Sequence, residues 1–309
     1  MKILADYLIH LIEYAHCKGL PNSGITRPAP QTLIPLNTYV KAYEHYFRAA
    51  NDPYFGLRFG YFLNLKALGS VYEISLTTTC LEQTLEIWQS YVNRVFPILQ
   101  IHLRKDADSL TMHLTTKLQN PAIQYHILDT VFIFMYRELR LMLGQEKVIV
   151  RVPYEDLGEY ASWYQAEVLS GSDHQFQFEL ALLNHSINEK RRQSFALLLP
   201  SFLSLLHQSN HTYHPFTLAV RTMILNMSDP VLPTLDQVAS QFILTPRTLQ
   251  RRLKDEGISF RDLCNNIKQE LYNYLKKGNH LKTGELALLL GYSRTSSLIH
   301  AIQHWEAAH

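Results

Sequence analysis

Hydrophobic residues recur with two different periods along this chain. In the first 90 residues the spacing is helical, as in Leu4, Leu8 and Leu11, and predicts mostly helices. From residue 97 apolar and polar residues alternate instead, which predicts a β-hairpin with its turn at residues 105–109. A long apolar helix over residues 123–143 follows, and then two more alternating segments at 148–152 and 176–180.

The order of these elements predicts an α+β domain in which helices cover a mainly antiparallel sheet. The sequence has no glycine-rich phosphate loop, which argues against a run of βαβ nucleotide-binding units. A helical stretch around residues 190–206, expected to kink or break at Pro200, closes this domain. Residues 208–215 are polar and turn-forming, so we expect a first domain over 1–207, a linker over 208–215 and a second domain over 216–309.

The second domain is predicted to be all-α, because the strand pattern disappears and helix caps take its place. Thr234, with Gln237 three residues later, has the pattern of a capping box. Thr245 precedes Pro246, and proline is favoured at the first position of a helix. A long helix ending near residue 278 and a final helix pair follow.

The helices of this domain contain a weak internal repeat. Ala239 precedes Leu249 much as Ala287 precedes Leu298, and a small residue in one helix lets the next helix cross it closely. This is the spacing of a helix-turn-helix unit. The helix between the two pairs would be about 27 Å long, so it could hold two recognition helices roughly one turn of DNA apart. Ordinary helical hairpins in a small bundle are the alternative, which the tandem arrangement disfavours.

One face of the predicted helix after Pro246 carries polar side chains that suit nucleic acid. Arg247, Gln250 and Arg251 are spaced to lie together on its outward side, where arginine matches guanine or phosphate and glutamine matches adenine. Residues 216–309 hold 11 Lys and Arg against 8 Asp and Glu, whereas the whole chain has a net charge of only +2. This local excess agrees with a polyanionic partner but is weak evidence alone.

Composition excludes several other classes of protein. With 309 residues, of which 47% are hydrophobic and 18% charged, the chain is long enough for two globular domains. Its three cysteines, Cys17, Cys80 and Cys264, are too far apart for a disulfide framework or a zinc site, which favours a reducing cytoplasm. Neither a signal peptide nor a membrane-spanning segment is expected.

Histidine spacing is the one feature that could point to a metal. His207, His211 and His214 are spaced for one helix face, as are His300 and His304, but neither set has a cysteine or a clear carboxylate ligand nearby. No metal site and no other cofactor is therefore expected. No catalytic motif is found either, so the chain is predicted not to be an enzyme.

Two long stretches carry a family resemblance. The segment LDQVASQFILTPRTLQRRLKDEGISFRDL, then ELALLLGYSRTSSL and Trp305, resembles the DNA-binding domain of AraC/XylS-type bacterial transcription regulators. Upstream, NDPYFGLRFG and ALGSVYEISLTTTCLEQTLEIWQSY are similar to the arabinose-binding-like sensor domain of one branch of that family. The residues expected to contact DNA are Thr245, Arg247, Thr248, Gln250, Arg251, Ser296, Ser297, Ile299 and His300.

The resemblance implies a cytoplasmic bacterial activator or repressor with an N-terminal ligand-sensing or dimerising domain and a C-terminal domain of two helix-turn-helix units joined by a long helix. Its partners would be double-stranded promoter DNA, an unknown small-molecule effector and, for an activator, RNA polymerase. A homodimer stays open, and no membrane is involved. The effector is expected to be small and largely apolar. Five aromatic residues are candidates for its pocket, although aromatic side chains on amphipathic helices are usually core: Tyr72, Trp88, Tyr91, Phe132 and Tyr136.

The second helix-turn-helix unit departs from the family pattern. Where the family has basic residues before the tryptophan, this chain has Ile299, His300, Gln303 and His304, and it lacks the usual ending of the domain. Positive charge is lost there, so the first unit is expected to supply most of the DNA specificity. An alternative function stays open, namely a protein-interaction or sensor module whose degenerate second unit no longer binds DNA specifically.

Overall fold

The structure, a computed structural model, describes residues 1–22, 24–64, 77–96, 98–144, 146–184, 187, 189–207, 213–229, 231–278 and 281–307. These residues divide into two separately packed units, Met1–Glu189 and Lys190–His309. The first unit combines helices with sheets, and the second is helix-rich. Among the described helices, none combines the length and the apolar character needed to span a membrane.

The N-terminal unit places its helices around two sheets. Its elements are, in chain order, β1 (Lys2–Leu4), α1 (Ala5–Cys17), β2 (Leu33–Pro35), α2 (Leu36–Ala50), α3 (Phe55–Phe62), α4 (Leu81–Val95), β3 (Leu99–Lys105), β4 (Ser109–Thr116), α5 (Pro121–Leu143), β5 (Ile149–Val152), α6 (Gly158–Tyr164), β6 (Glu167–Ser170), β7 (His174–Glu179) and α7 (Leu180–Leu183). The main sheet has the strand order β3-β4-β7-β5-β6. Its strands pair antiparallel except for β5 and β6, which are parallel, and β1 pairs antiparallel with β2 in a separate small sheet.

The prediction of a mixed helix and sheet domain is confirmed. Strands β3 and β4 form the predicted hairpin, and α5 begins two residues before the predicted start because Asn120 caps it. The Asn120 side chain accepts a hydrogen bond from the backbone N–H of Ala122 at 3.0 Å. The last predicted strand ends at Glu179, however, and Leu180 begins the short helix α7.

Helix α3 crosses α5 at close range through two glycines. A Cβ atom on Gly56 would overlap the carbonyl oxygen of His126, and one on Gly60 would overlap that of Thr130. The Thr130 hydroxyl donates to the carbonyl oxygen of Gly56 at 3.1 Å. The Tyr43 hydroxyl lies 2.8 Å from the Thr130 hydroxyl. The crossing therefore needs hydrogen in place of a side chain at both glycine positions.

The described part of the C-terminal unit consists of seven helices with one isolated β-bridge between Asp229 and Val231. They are α8 (Glu189–His207), α9 (Pro215–Met227), α10 (Leu235–Gln241), α11 (Pro246–Asp255), α12 (Phe260–Gly278), α13 (Thr283–Leu289) and α14 (Thr295–Ala307). Helix α8 continues through Pro200 and is not broken there as expected. Most of the predicted linker, residues 208–212, lies outside the described residues.

A buried arginine explains why α8 packs with the C-terminal helices. The Arg221 guanidinium, on α9, donates to the Glu270 carboxylate on α12 at 2.5 Å and to the Leu205 carbonyl oxygen on α8 at 3.2 Å. Its side chain is almost fully buried, so these acceptors compensate for the water it has lost. The division between the two units lies between Glu189 and Lys190, at the start of α8, whereas the linker predicted from the sequence follows α8.

Candidate functional site

Helices α10 and α11 begin at the predicted caps. The backbone N–H of Thr234 donates to the Gln237 side chain at 2.9 Å, and the Gln237 N–H donates to the Thr234 hydroxyl at 3.3 Å. The N–H of Thr248 donates to the Thr245 hydroxyl at 3.2 Å. These bonds satisfy N–H groups that a helix leaves unpaired at its start, so the sequence itself fixes where both helices begin.

The turn between α10 and α11 adopts a strained backbone conformation. Ile243 has φ of 56°, a left-handed value that is unusual for a β-branched residue. The N–H of the next residue, Leu244, donates to the Ala239 carbonyl oxygen at 3.0 Å and closes the turn. The turn between α13 and α14 contains Gly291 instead, with φ of 74°, and the Tyr292 N–H donates to the Ala287 carbonyl oxygen at 2.8 Å. The two turns thus share one pattern of backbone hydrogen bonding, in which each turn is closed onto an alanine carbonyl oxygen.

Helix α11 has one fully buried side and one exposed side. Leu249 and Leu253 are completely buried, whereas Arg247, Gln250 and Arg251 are all exposed. Thr245 is also exposed, and Thr248 is half-buried with its hydroxyl 2.9 Å from that of Thr245. The structure therefore brings the first five predicted DNA contacts together at the start and on the outer surface of one helix.

Arg252, although it neighbours Arg251, has a different environment. Its guanidinium carbon lies 4.5 Å from the centre of the Phe216 ring, which places it in a cation–π contact with the start of α9. The sequence did not distinguish these two arginines. Arg252 is exposed like Arg251, but this contact connects it to α9, and no such ring contact is present for Arg251 among the described residues.

Glu256, just after α11, provides a second connection to α9. Its carboxylate accepts hydrogen bonds from the backbone N–H of Phe216 at 3.2 Å, and from the N–H and hydroxyl of Thr217 at 2.7 and 2.6 Å. Burial raises the pKa of this carboxyl group, but the bonds from Thr217 and Phe216 outweigh burial, so the pKa lies below its ordinary value of 4.5. The charged form of Glu256 therefore stabilises the position of α11.

We expect the change Glu256→Gln to destabilise the protein by about 1–2 kcal/mol at pH 7, because a neutral amide caps a helix less well than a carboxylate. A carboxyl group with a lowered pKa contributes stability above about pH 4.5, and this contribution is lost as the pH falls through the lowered value. Urea unfolding of the wild type and of Glu256→Gln between pH 7 and pH 3 measures the difference in their unfolding free energies. If this difference does not narrow towards low pH, the charge of Glu256 is not the cause of it.

The second helix pair is packed like the first but lacks its charge. On α14, Ser296, Ile299 and His300 are exposed and Ser297 is half-buried, so the predicted contacts of this unit also share one surface. Leu298 is fully buried, and the Trp305 ring packs 5.7 Å from the Tyr272 ring of α12. Helix α14 contains no lysine or arginine, and Arg294 immediately before it is exposed. The pair α13–α14 thus keeps the packing of the pair α10–α11, but its outer helix carries no lysine or arginine.

An apolar cavity lies among the helices of the N-terminal unit. Its walls come from α1 to α5, strand β3 and the residues just after α3 and α4, namely Tyr7, Tyr39, Phe59, Leu63, Tyr91, Val92, Phe96, Leu99, Thr130, Val131 and Phe134. Of the five aromatic residues predicted for a ligand pocket, Tyr91 lines this cavity. Tyr72 lies outside the described residues, and Trp88, Phe132 and Tyr136 are buried elsewhere in the core.

Phe132 and Tyr136 belong to a cluster on the sheet side of α5. The Phe132 ring stacks on Phe176 of β7 with centres 3.9 Å apart, and the Tyr136 ring lies 4.9 Å from that of Tyr164. The fully buried Asp129 carboxylate, one turn before Phe132, pairs with His174 at 2.8 Å. The hydroxyls of Tyr154 and Tyr160 donate to Asp129 as well, at 3.0 and 3.1 Å. No local sequence pattern reveals this network, because its members are far apart in the chain.

Comparison with known proteins identifies the class of the chain. Residues 16–187 match the family described as the arabinose-binding domain of AraC transcription regulators, N-terminal. This match covers more than half of the chain, which therefore belongs to that family of bacterial transcription regulators. Regulators of this kind are not enzymes, in agreement with the sequence-based prediction.

Individual relatives are all HTH-type transcriptional regulators. An uncharacterized regulator from Mycobacterium tuberculosis is 28% identical to this chain over 128 residues. The aligned part covers 41% of this chain and 37% of that relative's length. VirS from the same organism is 24% identical over 291 residues, covering 88% of this chain and 82% of VirS. Among solved structures, the transcriptional regulator CdpR of Pseudomonas aeruginosa aligns over 97% of this chain and 95% of its own, with 19% identity and a TM-score of 0.48.

Proposed function

We propose that the chain is a sequence-specific DNA-binding transcription regulator whose activity responds to a small, largely apolar effector. In this proposal α10–α11 and α13–α14 are two helix-turn-helix units that bind successive major grooves of promoter DNA. Helix α12, with 19 residues, separates them and is about 28 Å long at 1.5 Å per residue. This length agrees with a separation of roughly one turn of DNA.

The observation that carries the proposal is the exposed face of α11. Among the residues that the structure describes, Arg247, Gln250 and Arg251 form no ion pair or hydrogen bond with another side chain, and the fully buried Leu249 and Leu253 anchor the opposite side. An arginine and a glutamine in this arrangement can donate to the edges of guanine and adenine in a major groove. A helix that only packed a bundle would gain nothing from three such side chains in water.

The proposal is tested by selecting duplexes from a randomised DNA pool with the full-length protein. We expect one sequence to be enriched, and we expect its affinity to fall steeply with salt because phosphate contacts release counterions. If no sequence is enriched and affinity for all duplexes is equally weak, the alternative of a protein-interaction or sensor module with a degenerate second unit is correct.

We further propose that the first unit supplies most of the specificity and that the second mainly positions the protein. Replacing the exposed His300 with arginine adds a permanent positive charge to α14. We expect His300→Arg to strengthen binding and to raise the slope of log K against log salt by roughly 0.9 for one added phosphate contact. Fluorescence anisotropy on the selected duplex at several salt concentrations measures both quantities.

His300→Ala serves as the matched variant in this experiment. It is expected to change affinity little at pH 8, because the substitution removes no permanent positive charge from α14. A loss as large as that of Arg251→Ala would contradict the asymmetric arrangement and show that His300 contacts a base directly.

A further inference from the structure

The two outer helices of the second unit, α11 and α14, match position by position at their starts. Counted from the first residue of each helix, the fully buried Leu249 and Leu298 are both the fourth residue. Gln250 and Ile299 are both the fifth residue, and both are exposed. Ile299 therefore occupies on α14 the position that Gln250 occupies on α11.

The neighbouring positions of these helices agree as well. In both helices the second and sixth residues are exposed and the third is half-buried. These pairs are Arg247 with Ser296, Arg251 with His300, and Thr248 with Ser297. The turn before each helix is closed onto an alanine carbonyl oxygen. The equivalence of Gln250 and Ile299 thus rests on burial and on backbone geometry.

The exposed side of α14 is polar except at Ile299. Residues 296, 299, 300, 303 and 304 are all exposed, and spacings of three and four residues place them on one side of the helix. Ile299 is 43% exposed, and the other four are serine, histidine or glutamine. A single exposed isoleucine is ordinary on a protein surface, so it is the position of Ile299 in the helix that distinguishes it.

This position is one from which a recognition helix contacts bases. In a helix-turn-helix unit, residues near the start of the second helix contact base edges in the major groove. On α11 the position carries Gln250, whose amide can form two hydrogen bonds with adenine. On α14 it carries Ile299, whose side chain has neither a hydrogen-bond donor nor an acceptor. A base contact made by Ile299 is therefore apolar.

Only one of the four bases offers an apolar group that suits such a contact. Guanine, adenine and cytosine present hydrogen-bonding groups in the major groove, whereas thymine presents a carbonyl oxygen and a C5 methyl group. Covering a polar base edge with isoleucine would displace water without replacing its hydrogen bonds, which costs free energy. Contact with the thymine methyl group instead removes apolar surface on both sides from water.

We propose that Ile299 contacts the C5 methyl group of a thymine in the major groove and so gives the second helix pair a preference for thymine at that position. This inference rests on the proposed function and names the base that α14 distinguishes. Burial of one methyl group corresponds to about fourfold in affinity. This is less than a bidentate arginine contact provides, in agreement with the proposal that the first unit supplies most of the specificity.

Deoxyuridine tests the contact, because it pairs like thymidine and lacks only the C5 methyl group. Each thymine of the selected duplex is replaced in turn by deoxyuridine, and binding of the full-length protein is measured by fluorescence anisotropy. We expect one replacement to weaken wild-type binding about fourfold. Ile299→Ala is expected to bind the unmodified duplex about fourfold more weakly than the wild type does and to lose nothing further at that replacement.

Two further variants assign the effect to the side chain of Ile299. Ile299→Val keeps a branched apolar side chain and is expected to retain most of the difference between thymine and deoxyuridine. Leu288→Ala is the matched control, because Leu288 is 69% exposed but lies on α13, the other helix of the pair. It is expected to leave that difference unchanged. Thermal melting of each variant verifies that it is folded.

The outcomes separate this inference from the proposed function. The inference is wrong if no replacement weakens wild-type binding more than it weakens Ile299→Ala binding. It is also wrong if folded Ile299→Ala binds the selected duplex as tightly as the wild type, which would leave Ile299 to a protein contact. Gln250→Ala is titrated in parallel, and a base preference that depends on Gln250 but not on Ile299 refutes this inference alone. Failure to enrich any DNA sequence refutes the proposed function and this inference with it.

Discussion

Replacing Arg251 with alanine is expected to weaken binding to the selected DNA sequence by roughly 1–3 kcal/mol, or about 5- to 150-fold, with a much smaller effect on random DNA. The reason is that Arg251 is exposed on α11 beside Arg247 and Gln250, where a guanidinium can form a bidentate contact with guanine. Gln250→Ala should relax the preference at one adenine position in the same way. Anisotropy titrations on the selected duplex and on single-base variants of it measure both effects.

Arg252→Ala is the matched control for this experiment. It removes the same side chain from the same helix, but its guanidinium packs on the Phe216 ring. We expect this change to lower the unfolding free energy by about 0.5–1 kcal/mol and to leave sequence preference unchanged. Equal losses for Arg251→Ala on specific and random DNA would mean that Arg251 contacts phosphate only.

Replacing Gly56 with alanine is expected to destabilise the N-terminal unit by about 3 kcal/mol or more, which lowers its melting temperature by roughly 10 °C. A Cβ at this position would overlap the His126 carbonyl oxygen and lie 2.7 Å from the His126 Cα. Backbone atoms cannot move aside as a flexible side chain can, so α3 and α5 would have to separate.

Gly158→Ala provides the comparison for that variant. A Cβ there would come no closer than 3.5 Å to the Asp156 side chain, and residue 158 begins α6. This substitution is expected to be neutral or slightly stabilising, because alanine favours helix more than glycine does. If Gly56→Ala melts within 2 °C of the wild type, the close approach of α3 and α5 is not a constraint on the fold.

Local patterns predicted those parts of the fold that depend on local interactions. The β3–β4 hairpin, helix α5 and the caps at Thr234 and Thr245 each follow from residues adjacent in sequence, and all are present. Strand β6 was not predicted because its four residues, Glu167–Ser170, form a strand through parallel pairing with β5, a non-local contact. Strands β1 and β2 have only three residues each, which is too short for an alternating pattern to be recognised.

The same distinction applies to the candidate site. The exposed face of α11 was predictable because helical spacing alone places Arg247, Gln250 and Arg251 together. The cavity was not predictable, since its walls come from residues between 7 and 134, and an aromatic residue that lines a cavity looks in sequence like one that packs a core. Phe132 illustrates this, because it was a pocket candidate and stacks on Phe176 instead.

The residue at the corner between α10 and α11 makes the two repeats unequal in folding terms. Ile243 adopts a left-handed conformation that costs a residue with a Cβ atom roughly 1–2 kcal/mol, whereas Gly291 occupies the equivalent corner between α13 and α14 at no such cost. The repeat with the cationic exposed face on α11 thus has the strained corner, and the repeat with little charge has the relaxed one. Relative to its counterpart, the first repeat gives up intrinsic stability at the point that sets the angle between α10 and α11.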